Sequence, residues 1–332
     1  MIEVRPFGTG KAHLYCLQNT NGMEVTLTNF GARLVDILLP VDGRLRPVSL
    51  SARSDIDYLE KDIYVGSTLA PVAGRISGAA TNIKGITYHF TENESGKTLH
   101  SGVHTTIEQY WEATVDEDTD QIDFYLTLPD AYNGFPGPVS IQATYQLTEG
   151  NELRIRYKAR SEKDTIFNPT NHVYFNLSGD FSQSVASHQM QIHADQFIPL
   201  GDDNLPTGEF QSVVGTPFDF RQPAPIGQGL MGTHPQNRLV NGYDHPWLLN
   251  QSEVPVEVVS PDEKVRLLMR TNQPAVIVYT YNHGPTAMAE RHTAFSLECQ
   301  ALPNACNIDH FGSILLEKNQ EFVSECSYQF LF

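Results

Sequence analysis

The segment Asn168–Gly179, NPTNHVYFNLSG, combines chemically versatile residues with the two-residue period of a β-strand. In a strand, successive side chains point to opposite faces. This alternation places His172, Tyr174 and Asn176 on one face and apolar residues on the other. A face of imidazole, phenol and amide groups is a poor core but a good lining for a polar cleft. On this segment alone, an ordinary solvent-facing strand surface is the alternative.

A second segment, Thr293–Asn307 with the sequence TAFSLECQALPNACN, places a carboxylate near the end of a predicted strand. Alternation puts Glu298 and Gln300 on one face and Cys299 on the other, apolar face. Pro303 cannot donate to a strand ladder, so the strand should end near it. Glu298 and Gln300 therefore project beside an irregular loop, where Gln300 could position the carboxylate or a ligand hydroxyl by a hydrogen bond. A solvent-facing strand surface is again the alternative.

The segment LHSGVH, residues 99–104, has the HxxxH spacing of a helical zinc-binding pair in His100 and His104. Gly102 and the β-branched residues that follow it argue against a helix here. Without the helix the two imidazoles do not share a face, so no metal site is predicted.

Two further charged residues stand in turn-like surroundings. Asp244 lies in NGYDH, and Arg75 lies between glycines in VAGRISG, where the backbone can approach a ligand closely. Taken alone, Asp244 is typical of a turn cap and Arg75 of a surface charge. The sequence contains no GxGxxG, GxxxxGK[ST] or GxSxG motif, and no cofactor is predicted.

The elements that must position these residues are predicted to be strands. Val139–Thr148 and Glu152–Arg160 both alternate apolar and polar residues, and a short Gly-Asn turn separates them. This pattern predicts a β-hairpin with one solvated face.

Similar runs recur along the chain, with turn-forming residues between them. They are His13–Gln18, Met23–Leu39, Gln121–Leu128, Ser187–His193, Val254–Val259, Lys264–Thr271 and Ala275–Tyr281. No long amphipathic helical segment, repeat or linker is evident. The sequence therefore predicts an all-β sandwich or barrel and a single domain over residues 1–332.

Composition excludes some classes of partner. The 332 residues carry 39 acidic and 22 basic side chains, a net charge of -17, which would repel nucleic acid and an anionic membrane surface. The N-terminus lacks a signal-peptide pattern, and no apolar run approaches the roughly 18 residues of a membrane span. Four scattered cysteines without CxxC spacing indicate free thiols. We therefore expect a cytoplasmic protein.

Seven motifs in order resemble the galactose mutarotase (aldose 1-epimerase) family. They are AGRI at 73–76, LHSG at 99–102, NGFPG at 133–137, NHVYFNLSG at 171–179, GTPFDFR at 215–221, GYDH at 242–245 and ECQALPNACN at 298–307. Each motif is moderately specific, but together they span most of the chain.

The resemblance implies a large antiparallel β-sandwich of the galactose mutarotase-like supersandwich type, with a free sugar bound in an open cleft on one sheet. It implies that Glu298 is the general base at the C1 hydroxyl and that His172 is the general acid at the ring oxygen. It also implies that Arg75, His100 and Asp244 bind sugar hydroxyls. The sequence leaves both a monomer and a homodimer open.

Three positions depart from the family's usual pattern. Ser101 stands where a second glycine is usual, Gly74 where many members have Asn, and Ile277 where some members carry Gln. These differences leave the acid/base pair intact. They leave the preferred sugar open among galactose, glucose, a pentose, maltose and lactose.

The implied reaction needs two proton transfers and no electron carrier. Opening a cyclic hemiacetal removes a proton from O1 and adds one to O5, and closing the ring reverses both. Each positioned proton donor or acceptor is typically worth about 10²–10⁴-fold in rate. Since the acid must be protonated, we expect the Glu298 carboxylate to raise the pKa of His172.

Two other classes of function compete with this interpretation. A glycoside hydrolase would use Glu298 and Asp244 as the two carboxylates that flank the scissile bond. They would lie about 5–5.5 Å apart in a retaining enzyme or about 6.5–9.5 Å apart in an inverting one. In that case His172 would have no role. A non-catalytic sugar-binding sandwich would keep binding sugar after Glu298→Gln. The acidic chain disfavours a phosphosugar substrate.

Overall fold

The structure is a computed structural model and describes residues 2–283 and 288–332. Its regular structure is almost entirely β-strand, and the named strands pair antiparallel. In the first half of the chain the strands are β1 Glu3–Phe7, β2 Ala12–Gln18, β3 Glu24–Thr28, β4 Arg33–Val41, β5 Arg44–Pro47, β6 Thr68–Leu69, β7 Arg75–Ser77, β8 Ala80–Ile83, β9 Ile86–His89, β10 Lys97–Leu99, β11 Glu112–Asp116, β12 Gln121–Leu128, β13 Val139–Leu147 and β14 Glu152–Ser161.

The second half continues the same architecture. Its strands are β15 Thr165–Ile166, β16 Thr170–Asn171, β17 Tyr174–Phe175, β18 Gln189–Ile192, β19 Gln196–Phe197, β20 Gln211–Ser212, β21 Ala224–Pro225, β22 Asp244–Leu248, β23 Val256–Val259, β24 Arg266–Thr271, β25 Ala275–Tyr279, β26 Phe295–Gln300, β27 Leu315–Leu316 and β28 Glu321–Leu331.

The helices of the described chain are short. They are α1 Asp55–Lys61, α2 Gly227–Leu230 and α3 Pro235–Val240, with 3-10 turns at Thr106–Glu108, Val185–Ser187, Ala305–Asn307 and Asp309–Phe311. The Ser54 hydroxyl caps α1 by accepting a hydrogen bond from the Asp57 backbone N–H at 3.0 Å. Across the described residues, no helix has the length and apolar character needed to span a membrane.

Three sheets build the sandwich. Nine strands run in the order β11-β12-β13-β14-β28-β24-β23-β18-β21, six run β17-β26-β25-β22-β19-β20, and β1 to β5 form a third sheet in sequence order. The nine- and six-stranded sheets face each other. Tyr328 of β28 packs edge-on against Phe175 of β17 at 5.1 Å between ring centroids and donates its hydroxyl to the Leu297 carbonyl of β26 at 2.8 Å. The predicted all-β sandwich is confirmed.

The predicted hairpin is also confirmed. β13 and β14 pair from Val139 opposite Ser161 to Leu147 opposite Leu153. The faces alternate as predicted, because Ile141 and Tyr145 are buried while Ser140 is exposed. The other single-strand predictions hold with ends shifted by two residues at most, and Gln121–Leu128 coincides with β12.

The predicted single strand over Met23–Leu39 is wrong, because the chain forms the two strands β3 and β4 with a turn between them. Gly31 and Ala32 both adopt positive φ there, at 74° and 42°. Positive φ reverses the chain direction, and glycine adopts it without steric cost.

The continuous strand predicted over Asn168–Gly179 is wrong as well. The segment forms two two-residue strands, since β16 pairs with β6 and β17 pairs with β26. Asn176 does not join a polar cleft face. Its amide donates to the carbonyls of Asp180, Gln183 and Thr293 at 2.9 to 3.1 Å, so this buried side chain fixes a loop.

Candidate active site

A single cavity of about 470 Å³ is lined by all five residues that sequence analysis selected as site residues. They are Arg75, His100, His172, Asp244 and Glu298. These residues come from five separate segments of the chain, and the sandwich brings them together. The cavity also has Tyr64, Tyr174, Tyr279 and Gln300 in its walls.

Strand β26 fixes the position of Glu298. It is paired on both sides, with Ser296 opposite Tyr174 of β17 and Glu298 opposite Ile277 of β25. Its other face, including Leu297 and Cys299, packs into the core. A one-residue slip would bury Glu298 in the core, so the register of this strand decides which side chains reach the cavity.

His172 lies in the short connection between β16 and β17. Its backbone N–H donates to the Ser67 carbonyl at 2.9 Å, and its carbonyl accepts from the Gly66 N–H at 2.9 Å. These bonds hold the ring so that Nε2 lies 3.4 Å from Oε1 of Glu298. The predicted acid and base are therefore in direct contact in the cavity.

Burial determines the protonation of this pair. It raises the pKa of Glu298 to about 8, although the Ser296 hydroxyl, donating at 3.1 Å, and the Arg75 charge act in the opposite direction. Burial lowers the pKa of His172 to about 4, and the charges of Asp62 and Asp244 only partly offset it. At neutral pH the pair is thus a carboxylic acid beside a neutral imidazole.

The expected rise in the pKa of His172 is therefore wrong. Glu298 is itself protonated throughout the pH range in which His172 titrates, so it offers the imidazole no negative charge. Desolvation then dominates, because both side chains are almost wholly buried.

His100 is held as a neutral hydrogen-bond donor. Its Nδ1 accepts the Gly74 backbone N–H at 3.2 Å, so in the neutral ring the proton is on Nε2. Burial, with the charges of His172 and Arg75, lowers the pKa of His100 well below its usual range. The hydroxyl of Ser101 accepts from the Val72 N–H at 2.8 Å and donates to the Val72 carbonyl at 2.9 Å, which anchors the adjacent turn.

Arg75 is clamped by two carboxylates. Its Nε and Nη2 donate to Glu94 at 2.7 and 3.1 Å, and Nη1 lies 3.6 Å from Oδ2 of Asp244. Burial raises the pKa of Asp244 to about 6, with the Arg75 charge opposing it. Sequence reasoning missed Glu94, which lies in a polar stretch with no distinctive spacing.

Gln300 carries an unsatisfied acceptor at the cavity. The side chain is 1% exposed, and its Oε1 has no hydrogen-bond partner among the described residues. A buried carbonyl without a partner costs free energy and is available to a ligand donor.

Aromatic walls are the second feature that sequence reasoning missed. The Tyr64 ring lies 5.0 Å from His100 and 6.2 Å from His172, and Tyr279 lies 6.2 Å from His172, all between ring centroids. Tyr281 donates its hydroxyl to Asp62 at 3.0 Å at the cavity wall. Tyr279 and Tyr281 lie at the end of the predicted strand Ala275–Tyr281, whereas Tyr64 lies in no predicted strand.

The three positions that depart from the family's usual pattern, Gly74, Ser101 and Ile277, have different structural consequences. Gly74 lies on the cavity wall with φ of 78°, and a Cβ there would come within 3.1 Å of Pro303 Cβ. Ile277 is buried and gives the wall an apolar surface. Ser101 maintains the turn through its two hydrogen bonds.

His104 does not line the cavity that His100 lines. His104 is exposed and contacts Glu108 at 2.8 Å, and the segment is not helical. Within residues 2–283 and 288–332, no three His, Cys, Asp or Glu side chains are placed to hold a metal ion.

The chain is thus an antiparallel sandwich with a carboxylate–imidazole pair in its cavity, and comparison with known proteins identifies its family. The family model described as aldose 1-epimerase matches residues 13–329. The chain is 32% identical over 328 residues to a protein from Sus scrofa named galactose mutarotase, covering 96% of this chain and 93% of that one. It is 32% identical over 331 residues to the aldose 1-epimerase of Escherichia coli strain K12, covering 96% and 95%.

A solved structure supports the same assignment. The crystal structure of galactose 1-epimerase from Lactobacillus acidophilus NCFM superposes with a TM-score of 0.90 at 30% identity, covering 99% of this chain and 98% of that one. This chain belongs to the aldose 1-epimerase family. The predicted family and the predicted enzyme class, an isomerase, are confirmed.

Proposed function

We propose that this enzyme interconverts the α and β anomers of a free aldose, with Glu298 as general base and His172 as general acid. The observation that carries the proposal is the 3.4 Å contact between Glu298 Oε1 and His172 Nε2 in the cavity that all five candidate site residues line. This short separation supports the proposal, because O1 and O5 of one hemiacetal are neighbouring atoms that an adjacent proton acceptor and proton donor can serve together.

Ring opening uses both groups together. The Glu298 carboxylate accepts the O1 proton, the His172 imidazolium donates a proton to O5, and the C1–O5 bond breaks to give the open-chain aldehyde. Rotation about C1–C2 presents the other carbonyl face to O5. The reverse transfers then close the ring as the other anomer and restore both residues.

The number of titrating protons that Glu298 and His172 carry together suits this reaction. Between pKa values of about 4 and about 8 the two side chains carry one titrating proton between them. Moving that proton from Glu298 to Nε2 of His172 creates the carboxylate and imidazolium that ring opening requires. Sugar hydroxyls that donate to Glu298 stabilise the carboxylate and so favour this transfer.

The remaining polar groups bind the sugar. Arg75 and the Nε2–H of His100 donate to hydroxyl oxygens, and Asp244 accepts from hydroxyl protons. Gln300 Oε1 adds a further acceptor, since it lacks a partner in the described chain. Tyr64 and the other ring walls exclude water from the reacting atoms.

We infer that the enzyme acts in the cytoplasm on a small free sugar and does not bind nucleic acid, as a monomer or a homodimer. Its four cysteines are thiols, and its net charge is -17. Thiols persist in a reducing compartment, and the negative charge repels a polyanion.

Polarimetry on freshly dissolved α-D-galactose, α-D-glucose, maltose and lactose tests the proposal. We expect the native enzyme to speed the decay of optical rotation to the spontaneous equilibrium value. Glu298→Gln and His172→Asn should each lower the catalysed rate of this decay by at least about a hundredfold. Exposed Glu321→Gln and His89→Asn are matched controls and should keep it.

If the native enzyme matches the buffer blank on all four sugars, the proposal fails. Release of reducing ends from a glycoside would instead identify a hydrolase. Sugar binding without any acceleration would identify a binding module.

A further inference from the structure

Two thiols meet between the facing sheets. Cys299 is on the core face of β26 in the six-stranded sheet, and Cys326 is on β28 in the nine-stranded sheet. Their sulfur atoms lie 2.7 Å apart although both cysteines are free. A disulfide bond has a sulfur–sulfur distance of about 2.05 Å, so closing the bond requires an approach of about 0.6 Å.

The two thiols differ in access. Cys299 is buried, and its sulfur also lies 3.3 Å from the Met269 sulfur. Cys326 is partly exposed. A reagent in solution therefore reaches Cys326 first.

We propose that Cys299 and Cys326 are a redox-controlled crosslinking site, oxidised by a small disulfide of the glutathione class. The Cys326 thiolate attacks one sulfur of the disulfide reagent, breaks its S–S bond and releases one reagent thiol. Cys299 then loses its proton and attacks the Cys326 sulfur of the mixed disulfide, releasing the second reagent thiol. The two protein thiols are oxidised by two electrons, and the reagent is reduced to two thiols.

The crosslink acts on the candidate active site through β26. Cys299 directly follows Glu298 on that strand, and the two side chains point to opposite faces. Drawing Cys299 toward β28 by about 0.6 Å displaces Glu298 from His172. A misplacement of about 1 Å can cost about a hundredfold in rate, so we expect a loss of about tenfold. This consequence rests on the proposed function.

The test oxidises the folded full-length enzyme with oxidised glutathione, blocks free thiols and maps peptides by mass spectrometry without reduction. We expect a peptide pair joined through Cys299 and Cys326 and a melting temperature several degrees higher, because the crosslink restricts the unfolded chain. Polarimetric rates should fall about tenfold and return on reduction.

Matched substitutions isolate the pair. Cys306→Ser removes a thiol elsewhere and should behave as the native enzyme does. Cys326→Ser should keep the basal rate and lose both the crosslink and the sensitivity to oxidant.

Two results would overturn the proposal. One is the absence of the joined peptides from the folded enzyme under conditions that oxidise the unfolded chain. The other is a crosslinked enzyme that turns over as fast as the enzyme with both thiols reduced. If the reduced enzyme has no mutarotase activity, the proposed function fails, and the peptide map still decides whether the crosslink forms.

Discussion

The titration of Glu298 and His172 defines the pH range in which the pair can work. Burial raises the pKa of the carboxyl to about 8 and lowers the pKa of the imidazole to about 4. Below the lower value both groups are protonated, so no base is present. Above the higher value both have lost the proton, so no acid is present.

We therefore predict a broad bell-shaped dependence of kcat/KM on pH, with limbs near 4 and near 8. Initial polarimetric rates on α-D-galactose between about pH 3 and about pH 9, corrected for the spontaneous reaction, measure it. A single limb near the ordinary histidine pKa of about 6.5 would contradict the buried pair.

Gln300 provides a separate prediction about sugar binding. Replacing it with Met keeps the length and removes the unpartnered carbonyl acceptor. A lost hydrogen bond of about 1 kcal/mol predicts a rise in KM of about fivefold with little change in kcat. Exposed Gln320→Met is the matched control. A fall in kcat at constant KM would show instead that Gln300 positions the carboxylate.

The site residues show what a sequence can and cannot specify at this scale. All five predicted side chains line the cavity, because family motifs preserve the side chains that a site requires. Glu94 was missed because its importance comes from Arg75, which pairs with it across the fold. The direction of the pKa shift of His172 was wrong because desolvation depends on the whole surroundings of a side chain.

At the scale of elements, the local alternation of apolar and polar residues predicted the strands that pair with the next strand along the chain. The β13–β14 hairpin follows from alternation and a short turn. Alternation failed over Asn168–Gly179, where β16 and β17 pair with strands distant in sequence. A local pattern carries no information about those partners.

The turn at Gly74 gives a prediction at this scale. Gly74 and Gly78 both have positive φ, at 78° and 63°, but a Cβ on Gly74 meets Pro303 whereas one on Gly78 meets open space. Gly78→Ala should therefore cost only backbone strain, about 1 kcal/mol. Gly74→Ala should lower the free energy of unfolding further and also raise KM, since Arg75 follows it. Denaturant unfolding of both variants measures the difference, and equal losses would contradict a contact with Pro303.

At the scale of the whole molecule, charge discriminates among substrates. The chain carries a net charge of -17, and Glu60 and Asp62 lie at the cavity wall. These charges repel a phosphorylated sugar, and the repulsion weakens as salt screens it.

We predict that D-glucose 6-phosphate is turned over at least about tenfold less efficiently than D-glucose at low ionic strength. This difference in turnover efficiency between the two sugars should become smaller as salt is added. Polarimetry of both sugars across a salt series measures it. A preference for the phosphorylated sugar would contradict this account of the cavity.

The sequence predicted the fold class of the sandwich but not which strands come into contact in it. Frequent short strands indicated all-β structure, and the family resemblance specified the supersandwich. Neither indicated that Cys299 and Cys326 would meet across two sheets, because that contact joins strands from different parts of the topology.

The central claim is that Glu298 and His172 act as one proton-transfer unit, and a double-mutant cycle tests it most directly. Polarimetric kcat/KM on α-D-galactose would be measured for the native enzyme, Glu298→Gln, His172→Asn and the double variant. If the pair is a unit, the double variant loses little more rate than the worse single variant. Losses that multiply, or a single variant that keeps the native rate, would contradict the claim.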